Sequence, residues 1–103
     1  MMIARWQFTA KFGQKQKAID LIKSWNSEIG TQTNIDTLNE RIITGSVGVS
    51  EGLVETEFEI EGLDDLQQFF DKIATVEMHA DWGREMGEVI VPGSTRWEVF
   101  RVV

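Results

Sequence analysis

With 103 residues, 17 acidic against ten basic side chains and a formal net charge of −7, the chain is sized for one domain over residues 1–103. It carries the wrong sign for a nucleic-acid backbone or an anionic membrane. It has no cysteine, which excludes disulfides, thiolate nucleophiles and cysteine-based zinc sites. Four Trp and six Phe with no Tyr are a heavy load of rings for so small a core, and some are expected at an interface or in a pocket.

The first segment, Ile3 to Phe12, alternates: Ala4, Trp6, Phe8, Ala10 and Phe12 on one side, Arg5, Gln7, Thr9 and Lys11 on the other. That period predicts a strand with one buried face. The early arginine and the alternation fit neither a signal peptide nor a membrane span, so a cytoplasmic location is the default expectation. After Gly13, the spacing of Ala18, Leu21, Ile22, Trp25 and Ile29 predicts an amphipathic helix ending near Gly30, with Gly30 as its left-handed C-terminal residue. A polar connection, Thr31 to Thr37, leads to a second strand over about Asn39 to Val49. A Ser50-Glu51-Gly52 turn follows, in which the glycine is expected to supply positive φ.

The third strand, Leu53 to Glu61, sets Val54, Thr56, Phe58 and Ile60 against Glu55, Glu57, Glu59 and Glu61. Gly62 ends it. Asp64 and Asp65 place negative charge where a helix N-terminus favours it, and Leu66, Phe69, Phe70 and Ile73 give that helix its apolar stripe. Met78, Trp82, Met86 and Val89 extend a helical pattern from Val76 to Val91, with a bend expected near Thr75. Pro92 and Gly93 then turn the chain into a last strand, Ser94 to Val103.

The order βαββαβ predicts an α+β, ferredoxin-like sandwich: an antiparallel four-stranded sheet in the order 4-1-3-2, with the helices on one face. The apolar sides of the central strands meet the helices. Their other sides carry Arg5 and Lys11 beside Glu55, Glu57 and Glu59, charges able to pair across the ladder. Such a face is either solvated or lines a polar cavity, because unpaired charges buried there would be strongly destabilising.

The run VETEFEIEGLDDLQQFFDKI, Val54 to Ile73, followed by a helical extension and by VPGSTRWEVFRVV, Val91 to Val103, is similar to NIPSNAP-type proteins of the dimeric α/β-barrel superfamily. The second helix, with His79 and Trp82, has a looser resemblance to antibiotic-biosynthesis monooxygenase domains. The resemblance implies a homodimer, the two sheets forming a dimeric α/β barrel, whose interior or helix–sheet cleft binds a small organic molecule.

His79 is the only histidine and so the only side chain with an unperturbed pKa near neutrality. One turn before Gly83 and beside Trp82, it is the candidate catalytic residue, a general base over an aromatic substrate. The competing reading is a half-exposed surface histidine beside Asp81 and Glu85. Arg5, Glu57, Trp82 and Trp97 are the candidate ligand-lining residues. The glutamate ladder suits a hard cation by chemistry, but residues two apart on a strand lie about 7 Å apart, so ion pairing is the simpler expectation. A zinc or non-haem iron site would need more His or Cys than the chain supplies, and nothing in the sequence calls for a cofactor. Gly45, Gly48 and Gly52 match no phosphate-binding fingerprint and instead mark a bulge or a close backbone approach. Three readings stay open: a binding protein, a cofactor-independent enzyme using His79, and a structural dimer whose cavity is closed by salt bridges.

Overall fold

The computed structural model describes residues 1–35 and 40–103. The alternating segments form strands β1 (Met2–Thr9), β2 (Arg41–Thr44), β3 (Leu53–Ile60) and β4 (Arg96–Arg101). They make one antiparallel sheet in the order β2-β3-β1-β4, the predicted ferredoxin-like order read from its other edge. Three α-helices are present among the described residues: α1 (Lys15–Glu28), α2 (Leu63–Ile73) and α3 (Glu77–Val89).

Register and alternation divide the sheet cleanly. Ala4 pairs with Phe58 and Val99, Trp6 with Thr56 and Trp97, and Phe8 with Val54, all on the helix side. Arg5 pairs with Glu57 and Glu98 on the opposite side. On the helix side the core forms two clusters. One gathers Ala4, Trp25, Phe58, Leu66 and Phe69; the other gathers Phe8, Ile22, Val54, Met86 and Val89. Trp82 packs against both, so a single large ring spans the seam.

Several local expectations are corrected. Strand β1 ends at Thr9, not Phe12: beyond it Ala10 makes only a single bridge with Ile90, and the Lys11 amide turns to the Val89 carbonyl at 2.8 Å. Gly13 then takes φ +79°, a left-handed value open to glycine. Phe12 is carried out on this turn and is fully exposed, so the last step of the alternation buries nothing. Gly30 does not adopt a left-handed backbone. Helix α1 instead tightens into a 3₁₀ turn, Gly30–Gln32, closed by the Gln32 amide donating to Ile29.

The expected start of the second strand at Asn39 and the end of the preceding connection lie outside the described residues. The strand itself is short, and the sharp backbone of the hairpin falls at Gly48 (φ +76°), not at Gly52. Gly45 faces the closest approach in the hairpin, where a Cβ would sit 1.8 Å from the Ser50 carbonyl oxygen. The predicted bend near Thr75 is a full break: Val76 is extended (φ −87°, ψ 112°), and α3 restarts at Glu77. The restart leaves Met78 on the exposed side, while Met86 and Val89 are buried. The faces of β4, undecided by its own sequence, are fixed by register, which turns Trp97 and Val99 toward the helices.

Candidate functional site

Between the sheet and the helices lies a cleft of about 200 Å³. Its walls are rings from every layer of the fold: Trp6 from β1, Trp25 from α1, Phe58 from β3, Phe69 and Phe70 from α2, Trp82 from α3 and Trp97 from β4. Trp97 meets Phe58, Phe69 and Phe70 edge-on at 5.3–6.0 Å between centroids, a favoured aromatic geometry. Among the described residues, besides the indoles, Asn26, Glu40, Thr56 and His79 bring polar side chains to the lining.

His79 stands in the first turn of α3, stacked on Trp82 at 5.5 Å with 22° between the planes. The Trp25 indole N–H donates to His79 Nδ1 at 3.1 Å. An indole nitrogen can only donate, so Nδ1 holds a lone pair and the neutral ring carries its proton on Nε2. Burial pushes the His79 pKa below its ordinary value, favouring this neutral form. Trp82 is pinned in turn by its own N–H, which donates to the Leu21 carbonyl at 2.7 Å.

Glu40 is the second titratable group. The Thr56 hydroxyl donates to Glu40 Oε1 at 2.6 Å. Asn26, with its amide turned to suit its neighbours, donates through Nδ2 to the same carboxylate at 2.8 Å and to the Ile22 carbonyl at 3.2 Å. Burial raises the Glu40 pKa, and the Thr56 hydrogen bond offsets only part of that effect. No lysine or arginine pairs with Glu40 among the described residues.

His79, Trp82 and Trp97 therefore line one cleft, but Arg5 and Glu57 do not join them. Those two lie across the sheet, where Arg5 Nε donates to Glu57 Oε2 at 2.7 Å and its guanidinium rests 4.7 Å from the centre of the Phe100 ring. Arg41 holds the other Glu57 oxygen. The cause is the two-residue period: Trp6 and Arg5 are adjacent in sequence and so face opposite ways. Among the described residues no group of three or more His, Asp or Glu is placed to hold a metal, and at Glu57 the ladder is occupied by arginines. No described helix is long and apolar enough to cross a membrane.

Sequence reasoning missed Asn26, Glu40 and Thr56, and placed Trp6 and Trp25 in the core. One signal was present. Thr56 is the lone hydroxyl on an otherwise apolar strand face, and a hydroxyl facing a core needs a polar partner. Glu40, near the start of the expected second strand, gave none.

No family model matches the sequence, and none of the curated proteins matches it. Solved structures do share its fold. A NIPSNAP-domain protein from Burkholderia xenovorans superposes with a TM-score of 0.75 at 8% identity, over 100% of this chain and 95% of that one. A NIPSNAP family protein from Agrobacterium tumefaciens gives 0.78 at 12% identity, over 99% and 85%. SnoaB, a cofactor-independent oxygenase from Streptomyces nogalater, gives 0.69 at 7% identity, over 98% and 91%. The chain has the ferredoxin-like α+β fold of the NIPSNAP-domain structures, and the oxygenase shares it.

Proposed function

We infer that the helix–sheet cleft binds a small, largely aromatic molecule and that the chain acts as a homodimer. The observation that carries the binding reading is the convergence of seven aromatic rings and four polar side chains on one cleft of about 200 Å³. Ligand sites have that make-up: apolar walls with a few placed polar groups. The volume suits a molecule of about one ring, since an apolar cavity of roughly 150 Å³ accepts benzene. In support of a dimer, the outer sheet face already pairs Arg5 and Arg41 with Glu57, so a second copy can cover it without leaving those charges unpartnered. Native mass spectrometry of the purified protein tests both parts. A dimer with retained mass is expected, and a bare monomer at high micromolar concentration removes the dimer.

Trp97 offers the cleaner variant, because it lies on an edge strand and is partly exposed. Titration with benzyl alcohol, followed by tryptophan fluorescence, should saturate. Trp97→Ala should weaken binding about tenfold with its circular dichroism intact. If neither benzyl alcohol nor its charged analogues give a saturating titration, the binding reading is sunk.

A second reading, proton abstraction from an acidic C–H or O–H of an aromatic substrate, has the shared fold of the oxygenase and the raised pKa of Glu40 in its favour. As base, His79 would first have to give up the Trp25 hydrogen bond at Nδ1. His79→Asn, which keeps an acceptor for Trp25, separates the readings: abolished turnover with ligand affinity preserved supports catalysis by His79.

A further inference from the structure

The polar groups of the cleft are arranged unequally toward charge. Four of its donors are spent within the protein, the Trp25 indole on His79, the Trp82 indole on Leu21, the Thr56 hydroxyl on Glu40 and the Asn26 amide on Glu40 and Ile22; among the described residues, the neutral donors left over are the Nε2–H of His79 and the indole N–H groups of Trp6 and Trp97. None of the lining residues is a lysine or arginine. Arg5 and Arg41 are engaged with Glu57 across the sheet, and Lys15, Arg84 and Arg96 with Glu51, Asp81 and Glu98. The charged group the cleft offers a ligand is a carboxylate, set among the π-systems of several Trp and Phe rings and faced, among the described residues, only by neutral donors.

Resting on the reading of this cleft as a small-molecule site, we propose that its ligand is an organic cation, an aromatic or alkyl ammonium whose charged nitrogen pairs with Glu40 and whose body packs among the tryptophan rings. A carboxylate accepts at about four lone-pair positions, and among the described residues the Thr56 and Asn26 donors fill only some of them. Aromatic faces carry negative quadrupole density, and a desolvated cation gains most from them where water is excluded. The surroundings agree in sign: with a net charge of −7 the whole protein draws cations inward and repels carboxylate ligands. An ammonium beside Glu40 also removes the penalty of burying that carboxylate alone, the burial that raises its pKa.

Three probes of one shape and different charge test this: benzylammonium, benzyl alcohol and benzoate, titrated calorimetrically at neutral pH and low salt. The ammonium should bind about tenfold more tightly than the alcohol, with benzoate weakest. In Glu40→Gln the ammonium and the alcohol should bind alike. Equal affinities in the wild type, or a cation preference that survives Glu40→Gln, overturn the proposal while leaving the cleft a site for neutral aromatics. If none of the three binds, the small-molecule reading falls with it. Should Glu40→Gln fail to fold, the wild-type ranking decides alone.

Discussion

Two carboxylates lie on opposite sides of the same sheet, and their surroundings pull their chemistry apart. The Glu57 side chain is only 6% exposed, and burial alone would raise its pKa. Hydrogen bonds from Arg41 and Arg5, with the charge of both guanidinium groups, outweigh that effect and hold it below the ordinary carboxylate value. Glu40 is half-buried, meets only the neutral donors Thr56 and Asn26 among the described residues, and is raised. What sets the two directions apart is the counter-charge: two guanidinium groups at Glu57 and none at Glu40 among the described residues. A carboxylate gripped by two arginines braces the sheet, whereas one without a cation keeps its charge available to a ligand.

Removing the braced group should have the largest effect. Glu57→Ala leaves Arg5 and Arg41 facing each other across β3 and should cost about 1–3 kcal/mol in urea unfolding, moderated by the solvent that reaches Arg41. The pH signature follows from the direction of the shift. Because the folded pKa lies below 4.5, the stabilisation is present above that value and is lost as pH falls through the folded pKa. The variant should lack this part of the acid-induced loss. Stability within about 0.5 kcal/mol of the wild type at neutral pH would mean that the arginines find other partners and the brace is decorative.

The same contrast marks what could be read from the sequence. Strand alternation and helical spacing located the four strands and the α-helical stretches, and the sheet order followed from βαββαβ, because those signals are local and periodic. The opposite charges of Arg5 and Glu57 announced their pairing. The site was less legible. His79, Trp82 and Trp97 were singled out as chemically distinctive, but their grouping with Arg5 and Glu57 mixed the two faces, although the strand period already separated them. Phe12 looked buried because nothing in the alternation records where a strand leaves its sheet. Glu40 was silent: its role comes from Thr56 and Asn26, 16 residues after and 14 before it, which only the folded chain brings together.

Within the cleft, an intermediate effect is expected at His79. His79→Ala strands the indole N–H of Trp25, a residue only 8% exposed, and removes the stacking partner of Trp82. The expected loss is about 1–2 kcal/mol, and His79→Asn should recover part of it by returning an acceptor near the Nδ1 position. Because burial lowers the folded pKa of His79 below 6.5, its neutral form is preferred in the fold. That contribution is complete above 6.5 and declines as pH drops from there to the folded value, a trend absent from both variants. If Asn restores nothing, the Trp25 hydrogen bond is not what fixes the ring.

The smallest effect should carry the opposite sign. The raised pKa of Glu40 means that the fold disfavours its charged form: its contribution is fully favourable below 4.5 and is lost as pH rises through the folded pKa. Glu40→Gln keeps an acceptor for Thr56, and Asn26 can turn its amide to offer an oxygen to the NH₂ group that the substitution introduces. The variant should therefore be more stable than the wild type at neutral pH by about 1 kcal/mol, the gain typical of relieving a functional compromise. The gap should close in thermal melts run below pH 4.5. A variant less stable than the wild type at neutral pH would show that the donors of Thr56 and Asn26 outweigh the cost of burial. Glu40 would then be a structural carboxylate like Glu57, and its charge would be committed to the fold instead of being held for a ligand.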